Sequence, residues 1–315
     1  MFTKETAGTV NGIVAGWGNS GGAFAQVLIG SALFPLFTNI YDGDRERSWR
    51  TICIIPAIVA FVCGCCIHFI SDDAPMGNYK EMKKNSTMDL SFYATKWTHS
   101  GWTDRNAWLL GLQYACCFGV ELVMNNGASL YFSYKFGMGT EAAAATASAF
   151  GWMNLFARFA GGKLSDKLNL SHGMRGRLWL QTICLLLEGG IIVAFAFADS
   201  LASSIITMCI FSIFVQAAEG AIYGVVPYVS KAGIVGSAAG IVGSGGNIGG
   251  MAFGFVFRSL SFKTAFIVMG SIVMSSSFLS LFIHIHGHSG LVTGEDSVVT
   301  VAARERYLNQ RRRGN

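Results

Sequence analysis

The chain has 315 residues, of which 52% are hydrophobic and only 13% are charged. Soluble domains carry about 25% charged residues, so this composition excludes an ordinary soluble domain and predicts a polytopic membrane protein. A net charge of +5 would suggest nucleic acid as the partner of a soluble protein, but in a membrane protein the placement of charges among the loops matters more. We therefore expect a lipid bilayer, and no nucleic acid, as a partner.

Eight apolar runs divide the chain, and each is long enough to cross a hydrocarbon core about 30 Å thick. This pattern predicts an all-α polytopic membrane protein with eight transmembrane spans. The spans cover about residues 8–36, 50–70, 106–132, 141–163, 177–198, 201–229, 233–257 and 263–285.

The loops between these spans alternate between the two sides of the membrane. Most of the 23 basic residues then fall on one side, which also holds both termini. Basic loops remain in the cytoplasm, so both termini are predicted to be cytoplasmic, and we expect the plasma membrane as the location. The polar segment from Gly287 to the end is predicted to be an irregular cytoplasmic tail.

One pentapeptide pattern, G-N-x-G-G, occurs twice, at Gly18–Gly22 and at Gly246–Gly250. The copies lie six spans apart, on helices that run in the same direction. Parallel repeats of six helices are the plan of major facilitator transporters, and on that plan the first bundle is expected to lack four helices, leaving about eight of twelve. The predicted organisation is the last two helices of an N-terminal bundle at 1–70, a cytoplasmic central loop at 71–105, a C-terminal six-helix bundle at 106–286 and the tail at 287–315.

The repeated motif has two interpretations. Glycines at helical spacing let two membrane helices approach closely, and a buried asparagine amide needs a partner, so the motif could be a packing groove whose amide bonds to a neighbouring backbone. Alternatively, a polar substrate lies against the bare backbone and is reached by Asn19 and Asn247. The glycines of the two motifs are Gly16, Gly18, Gly21, Gly22, Gly243, Gly245, Gly246, Gly249 and Gly250.

Arg158 is the most informative single residue, because a charge inside a span usually faces a cavity or a partner and marks function. Its planar fork of donors suits a planar oxyanion. The structural alternative is snorkelling toward the cytoplasmic end or an ion pair with Asp166. Gly162, Asp166 and Lys167 follow in a segment that resembles the G-x-x-x-D-[RK] loop motif of the major facilitator superfamily.

Aromatic and acidic side chains inside the spans complete the set of candidates. Tyr114 and Phe118 are four residues apart and share a helical face, so they are either core packing or, if they face Arg158, a sandwich for a small planar anion. The acidic residues in the spans are Glu121, Glu188 and Glu219, and any of them could titrate during transport. We favour Glu121 and Glu219 for proton coupling.

The eight cysteines lie in apolar runs and lack the paired spacing of a zinc site. No polar loop shows a nucleophile, metal or cofactor arrangement. The sequence therefore predicts no metal, no cofactor and no enzymatic activity.

Several segments together resemble the nitrate/nitrite porter family of the major facilitator superfamily, and within it the eukaryotic high-affinity nitrate transporters. The resemblance implies twelve helices, of which this chain matches five to twelve, and a nitrate ion held between two arginines, of which Arg158 matches the second. It also assigns the substrate site to positions matching Asn19, Asn247, Tyr114 and Phe118. The segments that carry it are Ala15–Gly22, Gly240–Gly250, Trp108–Glu121, Asn154–Arg158, Gln216–Gly220 and Val226–Lys231.

This resemblance implies a secondary transporter of nitrate, and also of nitrite, driven by protons and working by alternating access. The alternatives are a carrier for another small anion and a truncated, non-transporting sensor or partner protein. An accessory membrane protein is left open.

Overall fold

The computed structural model describes residues 3–74, 77–85, 102–229 and 235–313. These residues are almost entirely helical. The helices are α1 (Ala7–Asn19), α2 (Gly21–Ala25), α3 (Phe34–Ile40), α4 (Arg45–Ile52), α5 (Ile54–Ile70), α6 (Tyr79–Lys84), α7 (Arg105–Phe136), α8 (Thr140–Trp152), α9 (Phe159–His172), α10 (Met174–Ala196), α11 (Leu201–Val229), α12 (Val235–Ser259), α13 (Phe262–Ser277) and α14 (Val298–Arg313).

Short segments of other helical types join or extend these helices. The wider π-helix forms the segments Gln26–Leu33, between α2 and α3, and Asn154–Arg158, between α8 and α9. Tighter 3-10 turns form Lys4–Thr6 and Phe278–Phe282. Most of the predicted central loop, at 75–76 and 86–101, lies outside the described residues.

Seven helices in the described part of the chain are long and apolar enough to cross a membrane. The run predicted as a span at 141–163 is not among these seven. Helical conformation nevertheless continues from α8 through Met153 and the π segment into α9, and Asp166 of α9 bonds to Gly8 at the start of α1, so this continuous helical stretch joins the two ends of the molecule. The seven are Lys4–Ile40, Arg45–Ile70, Arg105–Phe136, Met174–Ala196, Leu201–Val229, Val235–Ser259 and Phe262–Phe282.

The core lies among α7 to α13. Helix α7 packs along α12, and α10 packs against α11 and α13. At one end of this bundle the ring centroid of Tyr131 lies 5.1 Å from that of Phe195 and 5.4 Å from that of Phe266. Phe195 also contacts Phe211, at 5.4 Å. Buried aromatic rings of this kind contribute large apolar areas and edge-to-face contacts, so they anchor four helices to each other.

Helix α1 brings the backbone at its glycines close to the backbone of this bundle. A Cβ atom on Gly12 would lie 2.7 Å from the carbonyl oxygen of Arg158, and one on Gly16 would lie 2.6 Å from that of Asn154. Gly8 makes the same approach to Gly162. Small residues at a spacing of four allow such close crossing in membrane helices. By contrast, α5 has no buried residue.

The loops group at two ends of the molecule as the alternation of spans predicts. At one end, Arg177 Nη2 donates to the Lys4 carbonyl at 3.4 Å and Asn106 Nδ2 donates to the His284 carbonyl at 2.9 Å. At the other end, Lys135 Nζ donates to the Ala198 carbonyl at 2.6 Å. The start of the chain and the segment after α13 therefore share an end, and the assignment of that end to the cytoplasm stays a prediction.

The prediction of an irregular tail is wrong for residues 298–313, which form α14. Ser297 begins this helix, and its Oγ accepts from the Thr300 N–H at 3.3 Å. Burial opposes ionisation of Asp296, but the Ser289 N–H at 2.8 Å and Arg304 Nη1 at 2.8 Å donate to it and lower its pKa below the ordinary 3.8. A polar helix without an apolar stripe gives no periodic signal, so the sequence does not reveal it.

Candidate functional site

The candidate functional site is a cluster of buried charges where α7, α11 and the π segment meet. Arg158 is 2% exposed, Glu121 1% and Glu219 0%. Arg158 Nη1 is in ion-pair contact with Glu219 Oε2 and lies 3.4 Å from Glu121 Oε2, while its Nη2 donates to the Tyr114 hydroxyl at 2.8 Å. One guanidinium thus faces two carboxyl groups, so the cluster carries a formal charge of −1 unless one of them holds a proton.

The two carboxyl groups differ in their partners. Glu121 accepts from three amides: Asn154 Nδ2 at 2.9 Å, Asn19 Nδ2 at 3.1 Å and Asn125 Nδ2 at 3.4 Å. Glu219 has the ion pair with Arg158, but its other oxygen has no donor among the described residues. Hydrogen bonds to a carboxylate favour its charged form, so Glu121 is the better stabilised anion of the two.

The π segment Asn154–Arg158 gives this cluster its local geometry. Its wider turn lies between two helices that carry glycine where they touch it. A Cβ atom on Gly12 of α1 or on Gly220 of α11 would overlap the carbonyl of Arg158. Single π turns inside α-helices occur frequently at functional sites, and here the turn carries both Arg158 and Asn154 into the cluster.

The aromatic candidates stack on each other beside the arginine. The rings of Tyr114 and Phe118 lie 5.2 Å apart at an interplanar angle of 9°, and Tyr223 meets Tyr114 edge-on at 5.0 Å. A Cβ atom on Gly246 would lie 2.9 Å from Tyr114 Cδ1 and close to Phe118. In this conformation the two rings fill the space against α12 and leave no gap between them for an anion.

The two motif asparagines lie in different surroundings. Asn19 is half-buried and donates to Glu121, so the structure places it in the charged cluster. Asn247 is exposed, and its Nδ2 donates to the carbonyl of Gly243 one turn earlier on the same helix, at 3.2 Å. The two asparagines therefore make different contacts: Asn247 bonds to backbone on its own helix, and Asn19 bonds to a side chain of the charged cluster.

The glycines of the two copies also differ in their contacts. On α12 the glycines of the second copy, and Gly245 before it, all touch α7. A Cβ atom on Gly249 would overlap the backbone of Ala115. Gly243 approaches the Tyr223 hydroxyl. In the first copy, no atom lies within 4 Å of a Cβ on Gly18 or Gly21, and a Cβ on Gly22 would make an ordinary contact with Asn125. The close backbone approach on this helix is made by Gly16, which lies before the copy and meets the carbonyl of Asn154.

The loop motif ties α9 to the start of α1. Asp166 accepts from the Gly8 N–H at 3.1 Å and from the Thr9 N–H and Oγ1 at 2.6 Å each. Its ion-pair partner is Arg177 Nη2, at 2.8 Å, so the alternative in which Asp166 pairs with Arg158 is wrong. Gly162 lies against Gly8, and Lys167 is exposed.

Sequence reasoning named Asn19 but not Asn125 or Asn154, the other two donors to Glu121. Asn154 stands one helical turn before Arg158, a spacing that indicates a shared face. Sequence reasoning also missed Gly220, which follows Glu219 directly and has no periodic signal of its own. Within the described ranges no group of three metal-ligating side chains is close enough to hold a metal ion.

The sequence is similar to a known transporter family and to named nitrate transporters. The family model described as Major Facilitator Superfamily matches residues 1–255. High affinity nitrate transporter 2.5 of Arabidopsis thaliana is 33% identical over 300 residues, covering 94% of this chain and 59% of the relative. High-affinity nitrate transporter 2.3 of Oryza sativa subsp. japonica is 31% identical, covering 93% and 57%.

A green-algal relative, Nitrate transporter 2.2 of Chlamydomonas reinhardtii, is 34% identical over 264 residues, which cover 79% of this chain and 48% of the relative. The chain thus spans about half to three-fifths of the length of the curated relatives it matches.

Proposed function

The chain belongs to the Major Facilitator Superfamily, and we propose that it provides the anion-binding arginine of a proton-driven nitrate transporter that also carries nitrite. The observation that carries this proposal is the guanidinium of Arg158, buried within the membrane-spanning bundle between two carboxyl groups and a tyrosine hydroxyl. A buried guanidinium offers two parallel donors to a planar anion. The names of the relatives support nitrate as that anion.

Competition for Arg158 links the anion to protons. In the conformation described, Glu219 and Glu121 neutralise the guanidinium, so an anion can bind it only after one carboxyl group withdraws or takes up a proton. Glu219 has the fewer partners, and its protonation costs the cluster a single ion pair. Protonation of Glu219 therefore frees donors of Arg158, and nitrate takes the place of the carboxylate.

Alternating access needs contacts that close one end of the molecule and can be broken. The bonds from Gly8 and Thr9 to Asp166 hold α1 against α9 at the end predicted to be cytoplasmic. These bonds join a helix of the first predicted bundle to one of the second. Their release would let the two bundles rock about the site, and the bare glycine contacts along α1 offer no interlocking side chains to resist it.

The test is nitrate binding and transport by variants at Arg158. We expect Arg158→Lys to lose most nitrate affinity, because an ammonium cannot form two parallel bonds to one planar anion. Arg258→Lys, an exposed arginine on α12, is the matched control and should keep it. Both are measured in the 315-residue chain in liposomes, and in a chimera where the chain replaces the matched segment of the Arabidopsis relative. Wild-type affinity in Arg158→Lys would make Arg158 a structural residue.

Two further outcomes separate the rival functions. Labelled nitrate uptake that formate or acetate suppresses as well as unlabelled nitrate does would indicate a carrier for another small anion. A chimera that reaches the membrane and shows no flux of any of these anions would favour the non-transporting sensor or partner protein.

A further inference from the structure

A second acidic group lies inside the C-terminal bundle, outside the Arg158 cluster. Glu188 of α10 is 0% exposed, and neither of its carboxyl oxygens has a hydrogen-bond partner among the described residues. The other buried acids of the bundle each contact an arginine: Glu121 and Glu219 contact Arg158, and Asp166 contacts Arg177. Glu188 therefore differs from them in having no counterion among the described residues.

The surroundings of Glu188 cannot neutralise a negative charge. The titratable groups that interact with it are three buried thiols, Cys184 one turn earlier and Cys116 and Cys117 of α7, together with Glu219 of α11. Helix α13 brings Gly270 and Met274 against the neighbouring Gly189, and α9 meets α10 more than three turns away, at Gly176.

An isolated carboxylate in such a place is very costly, so the group takes the neutral form instead. We propose that Glu188 is a proton-binding site, and that it exchanges its proton with Glu219 during the transport cycle. The exchange with Glu219 rests on the proposed function, whereas the binding of a proton by Glu188 does not, because it needs no transported anion.

The exchange balances in charge. When the Glu219 carboxylate withdraws from Arg158 to admit an anion, it loses its counterion and becomes the stronger base. The O–H bond of Glu188 then breaks and a new O–H bond forms on Glu219, leaving Glu188 as the carboxylate. Glu188 takes up a proton from water to become neutral again, so one proton enters for each anion bound.

A second buried polar side chain without a partner precedes Glu219 on α11. Gln216, three residues before Glu219, is 0% exposed, and neither atom of its amide has a partner among the described residues. Helix α11 packs against α10, which carries Glu188. An amide can donate to one group and accept from another, so Gln216 can hydrogen-bond a carboxyl group in either protonation state without itself carrying the proton.

The first experiment asks whether Glu188 holds a proton, and needs no transport. Infrared spectra of the purified 315-residue chain at neutral pH are compared with those of Glu188→Gln, Glu219→Gln and, as a control, Glu141→Gln, an exposed acid at the start of α8. We expect the carboxylic-acid C=O band to lose intensity in Glu188→Gln and to remain in Glu141→Gln. An unchanged band in Glu188→Gln overturns the proposal, because Glu188 would then be ionised.

The second experiment asks whether that proton is coupled to the anion. In the chimera, Glu188→Gln should lose accumulation of labelled nitrate driven by a pH gradient and keep nitrate exchange at equal pH, because glutamine imitates the neutral acid but cannot release a proton. Gradient-driven accumulation at the wild-type level would overturn the coupling. If the wild-type chimera moves no nitrate, the proposed function fails, and the infrared result still decides whether Glu188 binds a proton.

Discussion

The two copies of G-N-x-G-G have the same letters but serve different contacts. In the copy on α12 the glycines carry the packing, since all three of them touch α7, and the asparagine only bonds to its own helix. In the copy near the end of α1 the asparagine reaches the buried Glu121, while Gly18 and Gly21 touch nothing within 4 Å. A repeated motif therefore does not fix which of its residues contacts the site.

The largest expected effect comes from adding bulk to the packed copy. Gly249→Leu should abolish correct folding, because its Cβ already overlaps the backbone of Ala115, which cannot move aside as a flexible side chain could. Gly21→Leu, at the matching position of the other copy, should fold normally because nothing lies within 4 Å of its Cβ. The yield of monodisperse protein and the melting temperature are measured for both variants. An equal loss in the two would show that the glycines of the two copies do not differ in packing.

A smaller effect should follow from loosening the first copy's helix. Asp166→Asn leaves the buried Arg177 without its carboxylate, and breaking a buried ion pair costs about 3–5 kcal/mol. Hydrogen exchange should rise at Gly8 and Thr9, which lose an acceptor, and should not change in α12. Asp199→Asn, an exposed acid at the opposite end, is the control. If hydrogen exchange at Gly8 and Thr9 in Asp166→Asn stayed as slow as in the parent, glycine packing alone would hold α1.

The smallest effect distinguishes the two asparagines. Asn19→Ala removes an amide donor from the charged cluster. In the proposed site this amide donates to the bound anion, and losing a hydrogen bond to a charged acceptor costs about 1.5–3 kcal/mol, so we expect a tenfold to hundredfold loss of nitrate affinity. Asn247→Ala removes an exposed bond within one helix and should change affinity and stability by less than about 0.5 kcal/mol. Titration of nitrate against both variants and the parent measures this. Equal losses would mean that Asn247 also contributes to binding.

Much of the helical layout was predictable from the sequence, because apolar runs of membrane length leave few other structures for the chain. Arg158 was recognisable because a charge interrupts one of these runs. Its partners were not, since Glu121, Glu188 and Glu219 look alike in sequence and differ only in which helices pack around them. The π turn that follows Met153 and the helix α14 were also missed, because a π turn follows from three-dimensional packing and a polar helix lacks an apolar stripe.

The π turn at Asn154–Arg158 has a further consequence, which concerns angular phase. One residue on an α-helix corresponds to a rotation of about 100°, so a residue gained or lost in this turn would redirect every side chain on α9. Arg158 at the end of the turn and Asp166 on α9 face different partners, the buried carboxylates and the start of α1, and regular helix joins the two. The wide turn therefore sets how both directions lie relative to α8. A single-residue deletion inside it would rotate the anion site and the closure of α1 together with respect to α8, without altering either set of side chains.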